Sequence, residues 1–224
     1  MNVKIFLQKR KYELLLLALV QHLYIGIFIT NMPFYIGVLW PVNMVILGLA
    51  SIGVFLEKGR LKVLIKNILT AIVIAFPVLL PFFKDEPLFM SLLNISYVLF
   101  YLFIFLEVLK FLLRPGYINR DIISAAACGF FLLLETFVFL FQIWVYADTA
   151  SFKGIDYSSP AHTFIDLVYF CSITLTTIGF GDITPASPAT KLITSLMGVI
   201  GQFYIVVLVG IIISKFAANA KPIE

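Results

Sequence analysis

The chain has 224 residues, of which 62% are hydrophobic and 12% charged, with a formal net charge of +4. Soluble domains carry about 25% charged residues, so this sequence has too little polar surface to coat a water-soluble globule, and an integral membrane protein is expected. Cys128 and Cys171 both fall in hydrophobic segments, which argues against a disulfide framework.

A bilayer-spanning helix needs about 20 mostly apolar residues. Six runs qualify: Tyr12–Thr30, Phe34–Leu56, Leu61–Phe83, Leu88–Leu113, Asp121–Ala147 and Ala189–Ala217. Asn31-Met32-Pro33, Glu57-Lys58-Gly59-Arg60, Lys84-Asp85-Glu86-Pro87 and Arg114-Pro115-Gly116 punctuate the first four. Pro41 and Pro77 inside the runs are expected as tolerated kinks. The runs do not alternate as the strands of a membrane β-barrel would. Lys9-Arg10-Lys11 before the first run has the look of a signal peptide. The run is long, however, and no small-x-small cleavage site follows near Thr30, so a retained helix is expected.

With six spans both ends lie on one side. That side receives all of the 16 Lys and Arg residues except Lys84, Lys153 and Lys191. The positive-inside rule then places both termini in the cytoplasm. The basic balance reflects this asymmetry, and no nucleic-acid partner is expected.

The fourth run holds one basic residue, Lys110, which can pair with Glu107 at i,i+3 and snorkel to the interface. A span so poor in charge has little to respond with to a membrane potential. Its many phenylalanines read as bulk facing lipid or protein. In the fifth run Glu135 lies near mid-membrane, where a charge is costly. It reads either as neutral or hydrogen-bonded to a neighbouring helix, or as a proton-linked gating element, and His22 of the first run, at similar depth, is the candidate partner.

The connection between runs five and six holds a second helical pattern. Ser159 can cap a helix with Pro160 at its first position. His162 to Thr176 is then too short to span, so the segment enters the membrane and returns. His162 itself reads as a solvated residue more than as an external pH sensor. Irregular backbone at membrane depth is allowed only where it is buried in protein or lines a water-filled path. At the bottom of the loop stands SITLTTIGFGDITP, residues 172 to 185. A cation crossing a membrane must exchange its water shell for fixed oxygens. Backbone carbonyls supply them if successive residues alternate in handedness, and Gly179 and Gly181 take positive φ without steric cost. Ile178 and Phe180 would then act as spacers, the Thr177 hydroxyl would add an oxygen at the inner end, and the C-terminal end of the short helix would favour a cation.

Thr177-Ile178-Gly179-Phe180-Gly181-Asp182 resembles the potassium-channel signature Thr-Val/Ile-Gly-Tyr/Phe-Gly-Asp. The resemblance runs from Asp166-Leu167-Val168-Tyr169-Phe170 through the filter into the last run. It covers the second half of the chain strongly, and the first half only in layout, as the extra spans of the six-helix, voltage-gated-like channel superfamily. It implies an all-α integral membrane fold with six transmembrane helices, a re-entrant pore helix and a filter loop. It divides the chain into a four-helix domain over 1–114, without gating charges, and a pore domain over 115–224. It implies a potassium-selective passive channel of the plasma membrane and not an enzyme, with no cofactor. Potassium ions would bind at Thr177, Ile178, Gly179, Phe180 and Gly181, with Asp182 at the outer mouth. Phe180 replaces the usual Tyr, Phe170 stands where many members have Trp, and Ile173 where some have Glu, leaving an apolar cuff apart from Tyr169. One chain holds one filter loop and such a pore needs four, so a homotetramer in the lipid bilayer is expected.

Ser187-Pro188 again reads as a cap with proline at the first helical position. By resemblance Gly201 is the hinge of the inner helix. Helical spacing from there puts Gln202, Ile205, Val209 and Ile213 on one face. Gln202 would keep a cavity wet, and the three apolar side chains below it could close it by dewetting. The other reading packs this stripe on the fifth span. The short stretch from Lys215 to Glu224 is expected to leave no room for a nucleotide- or calcium-binding domain. Other functions stay open at this point. A potassium uptake transporter subunit would typically carry four degenerate loops in one chain. A non-conducting accessory subunit would tolerate a drifted filter. An intramembrane enzyme would need a polar pair such as His22 and Glu135. No metal cluster, catalytic triad or phosphate loop is legible.

Overall fold

The structure, a computed structural model, describes residues 10–52, 60–83, 86–113 and 120–217. The Glu57–Gly59 and Arg114–Gly116 breaks, Lys84-Asp85, and the basic residues Lys4, Lys9, Lys58 and Lys221 lie outside them. Helix α1 covers Lys11–Tyr24 and tightens into a 3-10 turn, Ile25–Phe28. A helical turn at Met32–Phe34 and a π turn at Tyr35–Leu39 lead into α2, Trp40–Ile52. Helices α3 (Arg60–Phe83), α4 (Pro87–Leu113) and α5 (Arg120–Ala147) follow. The short α6 spans Pro160–Leu175 and α7 spans Pro188–Ala217. Six of the described helical segments are long and apolar enough to cross a membrane. The expected all-α architecture of six spans and one short inserted helix is therefore present.

Pro41 and Pro77 behave differently. Helix α3 runs unbroken through Pro77. Pro41 has no N–H, and its ring crowds the carbonyl four residues back. The backbone answers by widening into the π turn directly before it, where the Trp40 N–H reaches the Tyr35 carbonyl. Such bulges concentrate at functional sites, and this one aims the Trp40 side chain inward, where it is buried.

Helix α5 is the hub. Its span is 72% buried within the chain, against 17% for the span of α7. In lipid, helices gain little from apolar burial and associate through close packing and hydrogen bonds. Phe139 on α5 packs against Tyr97 and Tyr101 of α4 at ring distances of 4.6 and 5.6 Å. Such pairs contribute roughly 0.5–1.5 kcal/mol each beyond their area. From α1, Tyr12 meets Phe111 of α4 at 4.7 Å, and the Cys128 thiol of α5 donates to the Tyr12 carbonyl at 3.1 Å.

The α5–α7 contact depends on Gly129. The Tyr204 hydroxyl of α7 donates to the Ala126 carbonyl at 2.6 Å. Its oxygen occupies the space that a Cβ at position 129 would need. Gly129→Ala is expected to displace Tyr204 and cost about 1–3 kcal/mol of packing. Thermal unfolding of purified protein reads this as a lowered midpoint. Gly37→Ala, whose added Cβ meets nothing within 4 Å, is the neutral control.

Candidate functional site

Helix α6 begins as its sequence foretells. The Ser159 hydroxyl accepts the His162 N–H at 3.3 Å, with Pro160 at the first position. The His162 ring stays at the surface, its Nδ1 2.9 Å from the Ser158 and Ser159 hydroxyls. At the other end the backbone turns back on the helix. The N–H groups of Thr176 and Thr177 donate to the carbonyls of Ser172 and Thr174, both at 3.1 Å. Those of Ile178 and Gly179 both donate to the Ile173 carbonyl, at 2.8 and 3.1 Å. Four successive N–H groups are thus held by the helix end.

Three residues of the loop have positive φ: Thr177 at 63°, Gly179 at 55° and Gly181 at 81°. Ile178 and Phe180 between them do not. Alternation over every second residue turns successive carbonyls toward a common side. Gly179 and Gly181 are legible in the sequence as positions that permit this, whereas Thr177 is not. A β-branched residue with positive φ is a genuine outlier, costing roughly 1–2 kcal/mol, and such strain clusters at functional sites. Ile178 and Phe180 are 57% and 70% exposed in the single chain.

The C-terminal end of the loop is tied, and the tie runs through Tyr169. Its hydroxyl donates to Asp182 Oδ2 at 2.7 Å. That bond, helped by backbone N–H groups, holds the Asp182 carboxyl below the usual range for an aspartate. Because the value in the folded protein is depressed, the contribution is present above the ordinary aspartate range of about 3.9. It is lost as pH falls through the lower folded value. Phe170 adds packing instead of a donor. It meets Phe141 and Phe152 edge-on at 5.6 and 5.3 Å, and these two meet each other at 5.3 Å.

Phe152 belongs to a two-residue strand, β1 (Phe152–Lys153), paired antiparallel with β2 (Thr184–Pro185). The Ser151 carbonyl accepts the Ala186 and Ser187 N–H groups and the Thr190 hydroxyl, the latter at 2.9 Å. At Gly154 a Cβ would run into the Asp182 carbonyl. The chain before α6 is therefore stitched to the chain leaving the 176–182 loop. Two-residue strands show no alternation, so sequence reading missed this ribbon, Gly154 being its one signal.

On α7, the Ser187 hydroxyl accepts the Thr190 N–H at 3.2 Å, as the cap requires. Gly201 lies against a Leu175 methyl at the end of α6. Met197, Gly201 and Tyr204 are buried, whereas Gln202 is exposed and Ile205 half-buried. The side chains of Val209 and Ile213 lie outside the described residues. On α4, Lys110 Nζ sits 2.8 Å from Glu107 Oε1, the expected i,i+3 pair, with the lysine half exposed.

Glu135 and His22 do meet. Both are fully buried, with Glu135 Oε1 2.6 Å from His22 Nδ1. The sequence did not foretell the third member, Trp40, whose indole N–H donates to His22 Nε2 at 3.0 Å. Among the described residues no group of three His, Cys, Asp or Glu could hold a metal ion.

Residues 127–218 match the family described as ion channel, a stretch that takes in most of α5, then α6, the filter loop and α7. The chain is 39% identical over 87 residues to two pore potassium channel c of Oryza sativa subsp. japonica, covering 37% of this chain and 19% of that protein. It is 31% identical over 83 residues to two-pore potassium channel 2 of Arabidopsis thaliana, covering 37% of this chain and 17% of that one. Over 56 residues it is 42% identical to two-pore potassium channel 3 of the same plant, 25% of this chain and 13% of that protein. The chain thus aligns with less than a fifth of the length of each relative. No solved structure matches it. Over residues 127–218 the chain is thus similar to the ion-channel family, and its six apolar helical segments of spanning length fit a multi-pass membrane protein.

Proposed function

We propose that this chain is the subunit of a potassium-selective channel that conducts K+ passively through the loop from Thr177 to Gly181. The observation that carries the reading is the alternation of φ at Thr177, Gly179 and Gly181, combined with N–H groups held back by α6. Carbonyls turned to the opposite side are free to replace the hydration shell of a dehydrated cation. The Thr177 hydroxyl extends the column inward, and Asp182, ionised and tied to Tyr169, marks the outer mouth.

Four copies close the pore. Ile178, Phe180 and most of α7 are left uncovered by their own chain, as expected of surfaces that neighbours cover. Closed four-fold symmetry puts identical filter loops around one axis. Residues 1–114 form the peripheral four-helix domain and 115–224 the pore domain. The protein sits in the plasma membrane with both termini cytoplasmic, following its distribution of basic residues. No chemical reaction is catalysed.

The test is recording from purified protein in planar bilayers with potassium on one side and sodium on the other. A reversal potential strongly displaced toward that of potassium is expected, and one near zero would refute potassium selectivity. The same recordings test gating. Moving one charge through the field gives about 2.3 kcal/mol per 100 mV. Lys110, the one basic residue of α4, sits at its cytoplasmic end, paired with Glu107. Open probability is therefore expected to change little with voltage, and a steep conductance–voltage curve would contradict this.

A further inference from the structure

Glu135 lies deep in the α5 span, buried from solvent together with His22. An indole nitrogen can only donate. Trp40 therefore keeps His22 Nε2 unprotonated, and the ring hydrogen resides on Nδ1, which donates to Glu135 Oε1. A second ring proton would set two donors against each other at Nε2. The position left for a proton is Glu135 Oε2, which is buried and has no hydrogen-bond partner among the described residues.

We propose that Trp40, His22 and Glu135 form a buried single-proton site, in which the proton is gained and lost at Glu135 Oε2 while His22 remains a neutral Nδ1–H donor, and that its occupancy regulates conduction. The titratable groups facing it are His22 from α1, Tyr35 from the turn before α2, Tyr97 and Tyr101 from α4, and Cys171 from α6. The phenols and the thiol are buried and bring no positive charge. His22 is the hydrogen-bond partner of Glu135 among the described residues.

The site touches the pore-forming elements. The His22 ring meets Phe164 of α6 edge-on at 5.3 Å. Two residues further on, the Tyr24 hydroxyl is 3.1 Å from the Ser172 hydroxyl. Ser172 Oγ already donates to Val168, so Tyr24 is the donor here. The Ser172 carbonyl in turn accepts the N–H and the hydroxyl of Thr176, at the entrance to the filter loop. Helix α1 is thus fastened to the pore at His22–Glu135 and Tyr24–Ser172. With Glu135 ionised, the first fastening is a charge-assisted hydrogen bond, roughly twice as strong as a neutral one. Protonation at Oε2 removes the charge, weakens the bond and loosens α1 from α5 and α6. Acid therefore lowers the current.

The regulatory half rests on the channel reading, and the proton site does not, so the experiment has two arms. The first is 15N-histidine NMR of the membrane-reconstituted protein, whose two histidines are told apart with His162→Gln. His22 is expected to stay in the neutral Nδ1–H form from about pH 8 to about pH 5, through the range where histidine ordinarily charges. An infrared carboxylic-acid band should appear on acidification and be missing in Glu135→Gln. In Trp40→Phe the freed Nε2 should take up a proton. The second arm is potassium current. Acidification far enough to bring in the carboxylic-acid band should reduce it about fivefold or more in wild type and in His162→Gln, and leave it unchanged in Glu135→Gln. An imidazolium or an Nε2–H tautomer at wild-type His22 would overturn the proton site, and needs no variant to fold. An undiminished acid response in Glu135→Gln would overturn the regulation. Absence of any potassium current beside the expected spectra would overturn the channel reading and uphold the site.

Discussion

On the proposed channel reading, Gly179→Ala is expected to yield a protein that inserts and assembles but passes no potassium-selective current. The position has φ of 55°, and a Cβ built there meets nothing within 4 Å. The loss therefore does not come from a clash. It comes from the backbone: a left-handed L-residue costs roughly 1–2 kcal/mol, incurred in every copy of the proposed symmetric ring. Relaxation to negative φ relieves that cost and swings the neighbouring carbonyl off the common side. Thr177 already holds a strained φ of 63° next to it, so the loop has little tolerance left for a second such residue. Gly181→Ala, at φ of 81° and equally open, should behave alike. The measurement is the potassium-over-sodium reversal potential together with ion flux from vesicles, and size-exclusion elution separates loss of conduction from loss of assembly. An alanine variant with wild-type selectivity would show that the alternation is not what conducts.

Serine at Val209 or Ile213 is expected to raise the basal current. If the face of α7 carrying Gln202, Ile205, Val209 and Ile213 lines the inner pore, its three lower positions form apolar rings that can exclude water without touching. A hydroxyl ring rehydrates the constriction. An increase of about tenfold corresponds to about 1.4 kcal/mol in the balance between closed and open. Gln202 is exposed and Ile205 half-buried, on the side away from Met197 and Tyr204. Val207 and Ile211 belong to a different side, where they line a cleft with Phe105, Leu109 and Leu112 of α4. Cysteines at 205, 209 and 213 should accordingly react with cytoplasmic thiol reagents in the open channel, and those at 207 and 211 should not. A reactive set on the 207/211 side, with serine variants that stay tightly closed, would move the gate elsewhere, to the filter first of all.

What the sequence determined by itself is local. Six apolar runs of spanning length, the Ser-Pro caps at 159–160 and 187–188, the Glu107–Lys110 pair and the two glycines of the filter each lie within a few residues of one another. Helical period, run length and glycine's freedom at positive φ act over that distance, so they can be read directly. The tertiary structure decided the rest. It brought Trp40 to His22, and His22 to Glu135 across 113 residues. It set Tyr169 on Asp182, and paired β1 with β2 around the filter's exit. These contacts join elements far apart in the chain, and the rotation of each helix about its own axis chooses the partner. An apolar span offers lipid and protein nearly the same surface, so composition leaves that rotation open. Thr177 shows the same division within the filter itself. Nothing in a threonine asks for positive φ, and the hydrogen bonds from Thr177, Ile178 and Gly179 to the end of α6 impose it.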